Sequence, residues 1–171
     1  MELCETSVEG MQAISFRFDA KEMYKILRHV LLALRVLHSN EFVHLDVKPA
    51  NILRKNSHYK LSDFGLALHT TKHGKAMQPV EEGDSRYLAK EMLDWAPVDN
   101  LTKCDMYSLG ITAYEILINH PVPPSGEEWQ ELRNGIIPFP RDTPAELLEC
   151  IQVWCVCVCV CVCVCVCVCV P

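Results

Sequence analysis

The sequence lacks the marks of several protein classes. It has no excess of positive charge. Sixteen Lys and Arg stand against 22 Asp and Glu, a net charge of −6, which argues against a nonspecific nucleic-acid binder. It has no secretory leader: Met1-Glu2-Leu3-Cys4-Glu5 offers neither a basic n-region nor an apolar h-region. It has no disulfide framework in its body. Of 11 cysteines, eight fall within residues 155–170, while Cys4, Cys104 and Cys150 are scattered, the pattern of free thiols in a reducing compartment. Apart from that Cys-Val run it has no internal repeat. At 171 residues it suits one domain, or a part of a larger one. Half of the residues are hydrophobic, and without the run the fraction falls to roughly 45%, an ordinary globular value.

Periodicity organises the body. Met23, Ile26, Leu27, Val30, Leu31, Leu34 and Leu37 recur at spacings of three and four, which predicts a helix over 22–38 with Asp19 as its N-cap and Ser39-Asn40 at its end. Pro49 makes residues 44–51 a loop. Ile52-Leu53 and Tyr59-Lys60-Leu61, joined by the turn residues Asn56-Ser57, predict a small hairpin. Residues 63–91 form a long irregular stretch of the kind that usually carries function. Further helices are expected over 103–118, over 127–134 with Gly135 as its C-cap, and from about Pro144 into the run at Cys155.

The chemistry lies in His44-x-Asp46-x-x-x-x-Asn51, followed twelve residues after Asn51 by Asp63-Phe64-Gly65. Phosphoryl transfer needs a carboxylate to orient the attacking hydroxyl and take its proton. It needs a cation near the transferred phosphate, and oxygen ligands for Mg2+. Asp46, Lys48, Asn51 and Asp63 supply these groups in the order of the protein-kinase signature.

With those motifs the chain resembles the C-terminal lobe of a eukaryotic protein kinase. Three further stretches, Glu81-Glu82-Gly83-Asp84-Ser85-Arg86-Tyr87, Leu101 to Gly110, and Gly126-Glu127-Glu128-Trp129-Gln130, look like the Wee kinases, including the membrane-associated Myt branch. The resemblance covers about residues 1–150. It implies a fold that is mainly α-helical, a kinase-like C-lobe with a small β-hairpin at the nucleotide cleft and no N-lobe. It implies ATP and Mg2+ as cofactors and transfer of the γ-phosphate to tyrosine, or threonine, of a cyclin-dependent kinase, delaying mitosis. It makes Asp46 and Lys48 catalytic and Asn51 and Asp63 metal ligands. Nucleotide would be bound by Glu2 and Cys4 of the hinge, Lys48, Asp63, and Leu53 beneath the adenine. Asp105 resembles the buried helix aspartate that ties down the catalytic-loop backbone. Asp84 is expected to pair with Lys48, because an opposite charge in a partly closed cleft favours both charged forms.

Departures accompany the resemblance. Leu45 stands where many kinases carry the arginine that pairs with a phosphorylated activation loop, and Ala89-Lys90-Glu91 replaces Ala-Pro-Glu. No Gly-x-Gly-x-x-Gly and no Val-Ala-x-Lys occur, so the chain taken by itself is expected to be inactive. The expected organisation is a truncated kinase domain, hinge to late C-lobe helix, over 1–154, and a low-complexity tail over 155–171. The tail is read as a TG microsatellite translated as Cys-Val. A membrane span or a soft-metal cluster are its other readings, and the lack of a basic flank argues against the span. The expected location is the nucleus or cytoplasm, without a membrane and without nucleic acid. A noncatalytic binding fragment and an endomembrane-anchored Myt-type kinase are the alternatives.

Overall fold

The computed structural model describes residues 3–71, 75–76, 83–93 and 98–156. The order is β1 (Thr6–Ser7), α1 (Val8–Ala13), α2 (Ala20–Ser39), β2 (Phe42–Val43), a 3-10 turn (Pro49–Asn51), β3 (Ile52–Lys55), β4 (His58–Leu61), β5 (Leu68–His69), α3 (Lys90–Leu93), α4 (Thr102–Ile118), α5 (Glu127–Arg133) and α6 (Ala145–Val156).

Helix α2 forms where its apolar period predicts. Asp19 caps it by accepting the Glu22 amide at 2.8 Å, and Met23, Ile26, Leu27, Val30 and Leu34 are buried. Its partner α4 reads differently, because it lies inside the molecule. From Tyr107 to Ile116 every residue of α4 is buried, so no polar face remains. Helix α6 packs across α4 at Gly110. A Cβ there would lie 2.6 Å from Cys155 Sγ and 3.1 Å from Trp154 Cβ, so only glycine admits this crossing. Cys155, the first cysteine of the Cys-Val run, is thus buried as part of α6. The run from residue 157 onward, and Pro171 after it, lie outside the described residues. The four described cysteines are free.

The expected architecture needs a correction. A C-lobe alone, with one small hairpin and no N-lobe, does not describe the chain. Thr6–Ser7 pairs antiparallel with β3, so the hairpin belongs to a three-stranded sheet of order β1-β3-β4, and β2 pairs with β5 in a second sheet. All described strands precede residue 70 and α3 to α6 follow, an order that fits N-lobe strands leading into the start of a C-lobe. The reason for the miss is local. Two-residue strands are too short to display a period of two, and their partners lie 25 to 48 positions away. Among the described residues no helix is long and apolar enough to cross a membrane.

Candidate active site

Between β2 and β3 the chain makes an extended loop, His44 to Lys48, that ends in the Pro49 turn. Leu45 sits in this loop at φ 62°, a left-handed conformation that costs a non-glycine residue about 1–2 kcal/mol. Asp105 of α4, fully buried, holds it there. Asp105 Oδ1 accepts the Leu45 amide at 2.7 Å, and Oδ2 accepts the His44 amide at 2.9 Å and the His38 ring at 2.7 Å. Two helical turns on, the Thr112 hydroxyl donates to the Val47 carbonyl at 3.2 Å. One helix face therefore grips both ends of the loop, and Asp105 takes the role expected of it.

Polar side chains of the loop and of the Pro49 turn meet beside that grip. Asn51 donates its amide to the Asp46 carbonyl at 2.8 Å and to Asp46 Oδ2 at 2.7 Å, and Lys48 Nζ lies 2.9 Å from the same oxygen. Both contacts engage Oδ2. A Cβ on Gly83 would meet the Leu45 carbonyl at 3.0 Å and Asp46 Oδ1 at 3.6 Å, so Gly83 packs against the loop beside the remaining oxygen. Asp63 stands two residues past the end of β4. Its neighbour Ser62 donates both its amide and its hydroxyl to the Asn51 carbonyl, each at 2.9 Å. Asp63 itself is left-handed at φ 62°, exposed, and accepts the Gly65 amide at 3.2 Å.

His44 underlies this arrangement. Its ring is fully buried, edge-on to Phe64 at 5.2 Å, with Nε2 3.1 Å from the Ser62 carbonyl and Nδ1 accepting the Asp46 amide at 3.3 Å. One nitrogen donating and the other accepting is the pattern of a neutral ring. Burial lowers its pKa in agreement, against the nearby Asp105, Ser62 carbonyl, Asp46 and Asp63, which push it up.

Of the residues singled out from sequence, Asp46, Lys48 and Asn51 are thus in direct contact, and Asp63 is tied to them through the bonds of its neighbour Ser62 to the Asn51 carbonyl. Leu53 is half-buried on β3, two residues past Asn51, in register with Ser7. Cys4 is half-buried just ahead of β1, whose approach to β3 begins at the Glu5 amide, 2.9 Å from the Arg54 carbonyl. Glu2 lies outside the described residues. The Asp84–Lys48 pair is not formed. Asp84 is taken by Arg86, two residues on, with Nη2 at 2.6 Å and Nε at 3.0 Å, while Lys48 turns to Asp46. Burial pushes the Asp84 carboxyl up, but the Arg86 fork outweighs it and holds the group below the usual range, with Lys48 adding a weaker pull. An adjacent guanidinium offers two parallel bonds where an ammonium offers a point charge, so Arg86 wins.

Sequence reasoning passed over the residues that fasten the segment after Gly83. Arg133 of α5 stacks on the Trp129 ring at 3.6 Å and donates Nη2 to the carbonyls of Ser85, Arg86 and Leu88. Tyr87 donates its hydroxyl to Glu115 at 2.8 Å, and Ser108 donates to the Tyr87 carbonyl at 2.8 Å. Burial raises the Glu115 pKa, against the Val122 amide and the Tyr87 hydroxyl, which lower it. The i, i+4 spacing of Trp129 and Arg133 was the available signal for the stacked pair.

A sequence model of the protein kinase domain matches residues 1–150 of this chain, from its first residue, which also sets aside the C-lobe-only expectation. The membrane-associated tyrosine- and threonine-specific cdc2-inhibitory kinase wee-1.3 of Caenorhabditis briggsae is 39% identical over 138 residues, 80% of this chain and 20% of that protein. The Wee1-like protein kinase of Arabidopsis thaliana is 37% identical over 140 residues, 81% of this chain and 27% of that protein. The mitosis inhibitor protein kinase SWE1 of Saccharomyces cerevisiae is 36% identical over 142 residues, 78% and 17% respectively. The chain therefore spans between 17% and 27% of the length of these relatives.

Proposed function

The chain belongs to the protein kinase family as a Wee-type member, and from that premise we propose that its protein transfers the γ-phosphate of ATP to a tyrosine, or a threonine, of a cyclin-dependent kinase and so restrains mitosis. A protein kinase domain implies ATP and Mg2+ in general. The observation that carries the reading is the Asp46 carboxylate, with Oδ2 held by both Asn51 and Lys48 and Oδ1 left beside Gly83.

In this reading Asp46 orients the acceptor hydroxyl and takes its proton on Oδ1. Lys48 compensates negative charge beside it. Asn51 and Asp63 fit a hard divalent cation. The Asn51 amide nitrogen is committed to Asp46, which leaves its carbonyl oxygen as a ligand, and Asp63 keeps one carboxylate oxygen free of the Gly65 amide. Backbone groups at Glu2 and Cys4 would hold the adenine over Leu53. ATP with Mg2+ supplies the phosphoryl group and the neutralisation of its charge. Residues 1–154 form part of the kinase domain, and 155–171 a low-complexity tail from a translated dinucleotide repeat. A role on cyclin-dependent kinases places the protein in the nucleus or cytoplasm.

The test is a phosphorylation assay on a cyclin-dependent kinase with its cyclin, using the full-length protein. Asp46→Asn should cut transfer by about 10²–10⁴-fold, the usual contribution of a general base. Undiminished transfer by that variant, or none by the parent, would overturn the reading. The 171-residue chain alone should be silent in the same assay, because its sequence holds no glycine-rich loop and no Val-Ala-x-Lys lysine.

A further inference from the structure

Helix α3 follows directly on the segment that Arg133 fastens, and it faces α5 across a cavity of about 180 Å³ lined by Lys90, Leu93, Trp129, Gln130, Arg133 and Asn134. The described lining carries two cationic groups, with the side-chain oxygens of Gln130 and Asn134 as its neutral acceptors. Trp129 Nε1 and Arg133 Nε are buried and have no hydrogen-bond partner. Folded proteins leave few such donors unpaired, so each asks for an acceptor that no described residue supplies. The other guanidinium nitrogens of Arg133 are already engaged. Arg133 Nη1 donates to the Trp129 carbonyl at 3.1 Å, and Nη2 engages the carbonyls of Ser85, Arg86 and Leu88. Lys90 is exposed at the rim and forms no ion pair with any described residue. None of the six lining residues bears a carboxylate, while two bear a positive charge. Leu93 and the Trp129 ring give an apolar wall beside these donors.

We propose that this cavity between α3 and α5 receives an acidic side chain, a carboxylate on a short aliphatic stem, from the bound protein substrate. The proposal rests on the kinase reading only for the identity of that partner. The cavity suits the group by charge, by donors and by size, since it holds several times the volume of a single water, about 30 Å³. Both orphan donors are closed to solvent, so the Trp129 ring must turn toward the occupant. That movement provides the readout. Through Arg133 the occupied cavity would steady the Ser85 to Leu88 backbone, which places Arg133 as a positioning residue.

The experiment is NMR on the ¹⁵N-labelled 171-residue chain, reading the indole N–H of Trp129 among its three tryptophans. Trp129→Phe identifies the resonance. A capped Gly-Glu-Gly peptide, its Gln counterpart and inorganic phosphate are titrated in parallel. The Glu peptide should move the Trp129 resonance saturably and the Gln peptide should not. Lys90→Ala should weaken the Glu peptide by about ten-fold and Lys90→Arg should restore it. Lys90 is exposed, so these variants do not burden folding. No movement, equal movement with Gln, or no effect of Lys90→Ala would overturn the proposal. Phosphate binding as tightly as the Glu peptide would overturn the assignment to a peptide side chain. No phosphoryl transfer is involved, so a failed titration strikes the pocket alone, and a failed kinase assay strikes the function alone.

Discussion

Replacing Asp105 by Asn tests how the catalytic loop is held. The carboxylate accepts three hydrogen bonds in a site with no solvent exposure: the Leu45 amide on Oδ1, the His44 amide and the His38 ring on Oδ2. Asparagine keeps the shape but has one acceptor. If its oxygen takes the Leu45 amide, its NH2 points at the His44 N–H and leaves that donor orphaned, at a cost of about 1–3 kcal/mol. The bond that remains loses its charge assistance, which roughly halves it. The sum is about 2–4 kcal/mol, a large part of the 5–15 kcal/mol typical of a domain. Asp105→Ala orphans both amides and should cost about 3–6 kcal/mol. Urea denaturation of the 171-residue chain, with the slope unchanged, measures this. Asp99→Asn is the control, since that side chain is 95% exposed and should shift stability by less than about 0.5 kcal/mol. An Asp105→Asn variant as stable as the control would refute the claim that Asp105 holds the loop.

Gly110→Ala should destabilise by about 1–3 kcal/mol, since the new methyl would stand 2.6 Å from Cys155 Sγ; a neutral result in the same denaturation assay would mean that α6 does not cross α4 there. Thr112→Val keeps the volume and removes the donor to the Val47 carbonyl, so about 1 kcal/mol should be lost, measured by thermal unfolding. Burial holds the His44 pKa below its ordinary 6.5, so the unfolded chain binds a proton that the folded chain refuses. The contribution of this group to stability is therefore complete above about pH 6.5 and is lost as pH falls below it. Ring ¹³C shifts should show His44 more than half neutral at pH 6.5, and titration at or above that value would contradict the burial argument.

What could be read from the sequence depended on the range of the interaction. Helix α2 was legible because its core positions and the Asp19 cap are local patterns, and α4 because Met106, Leu109, Ile111, Ala113, Ile116 and Leu117 crowd a stretch with Glu115 as its only late charge. The contact of Asp46 with Asn51 was legible because a motif fixes both residue type and spacing. The sheet was not, because β1 pairs with a strand 46 to 48 positions away and shows no period of its own. Asp84 was misassigned because two cations compete for it, and only geometry reveals that Arg86 offers a fork two residues away while Lys48 is bound to Asp46. Arg133 was missed because its three acceptors are backbone carbonyls, which carry no sequence signal.

Leu45 and the segment from Gly83 to Leu88 make sense together. A kinase with arginine at the Leu45 position can receive a phosphate on its activation segment and hold the segment by that pair. Here the side chain at that position is apolar and 3% exposed, packed in the core below the loop, so it offers no cation. The segment is held by other means. Gly83 fits against the Leu45 carbonyl because it has no Cβ, Asp84 and Arg86 close a fork, Tyr87 reaches Glu115 and Ser108, and Arg133 gathers three carbonyls from α5. None of these links contains a group that phosphorylation must create. The apolar Leu45 and the Gly-Asp-Ser-Arg-Tyr segment thus fit one arrangement, in which the segment beside Asp46 is fastened by the fold itself.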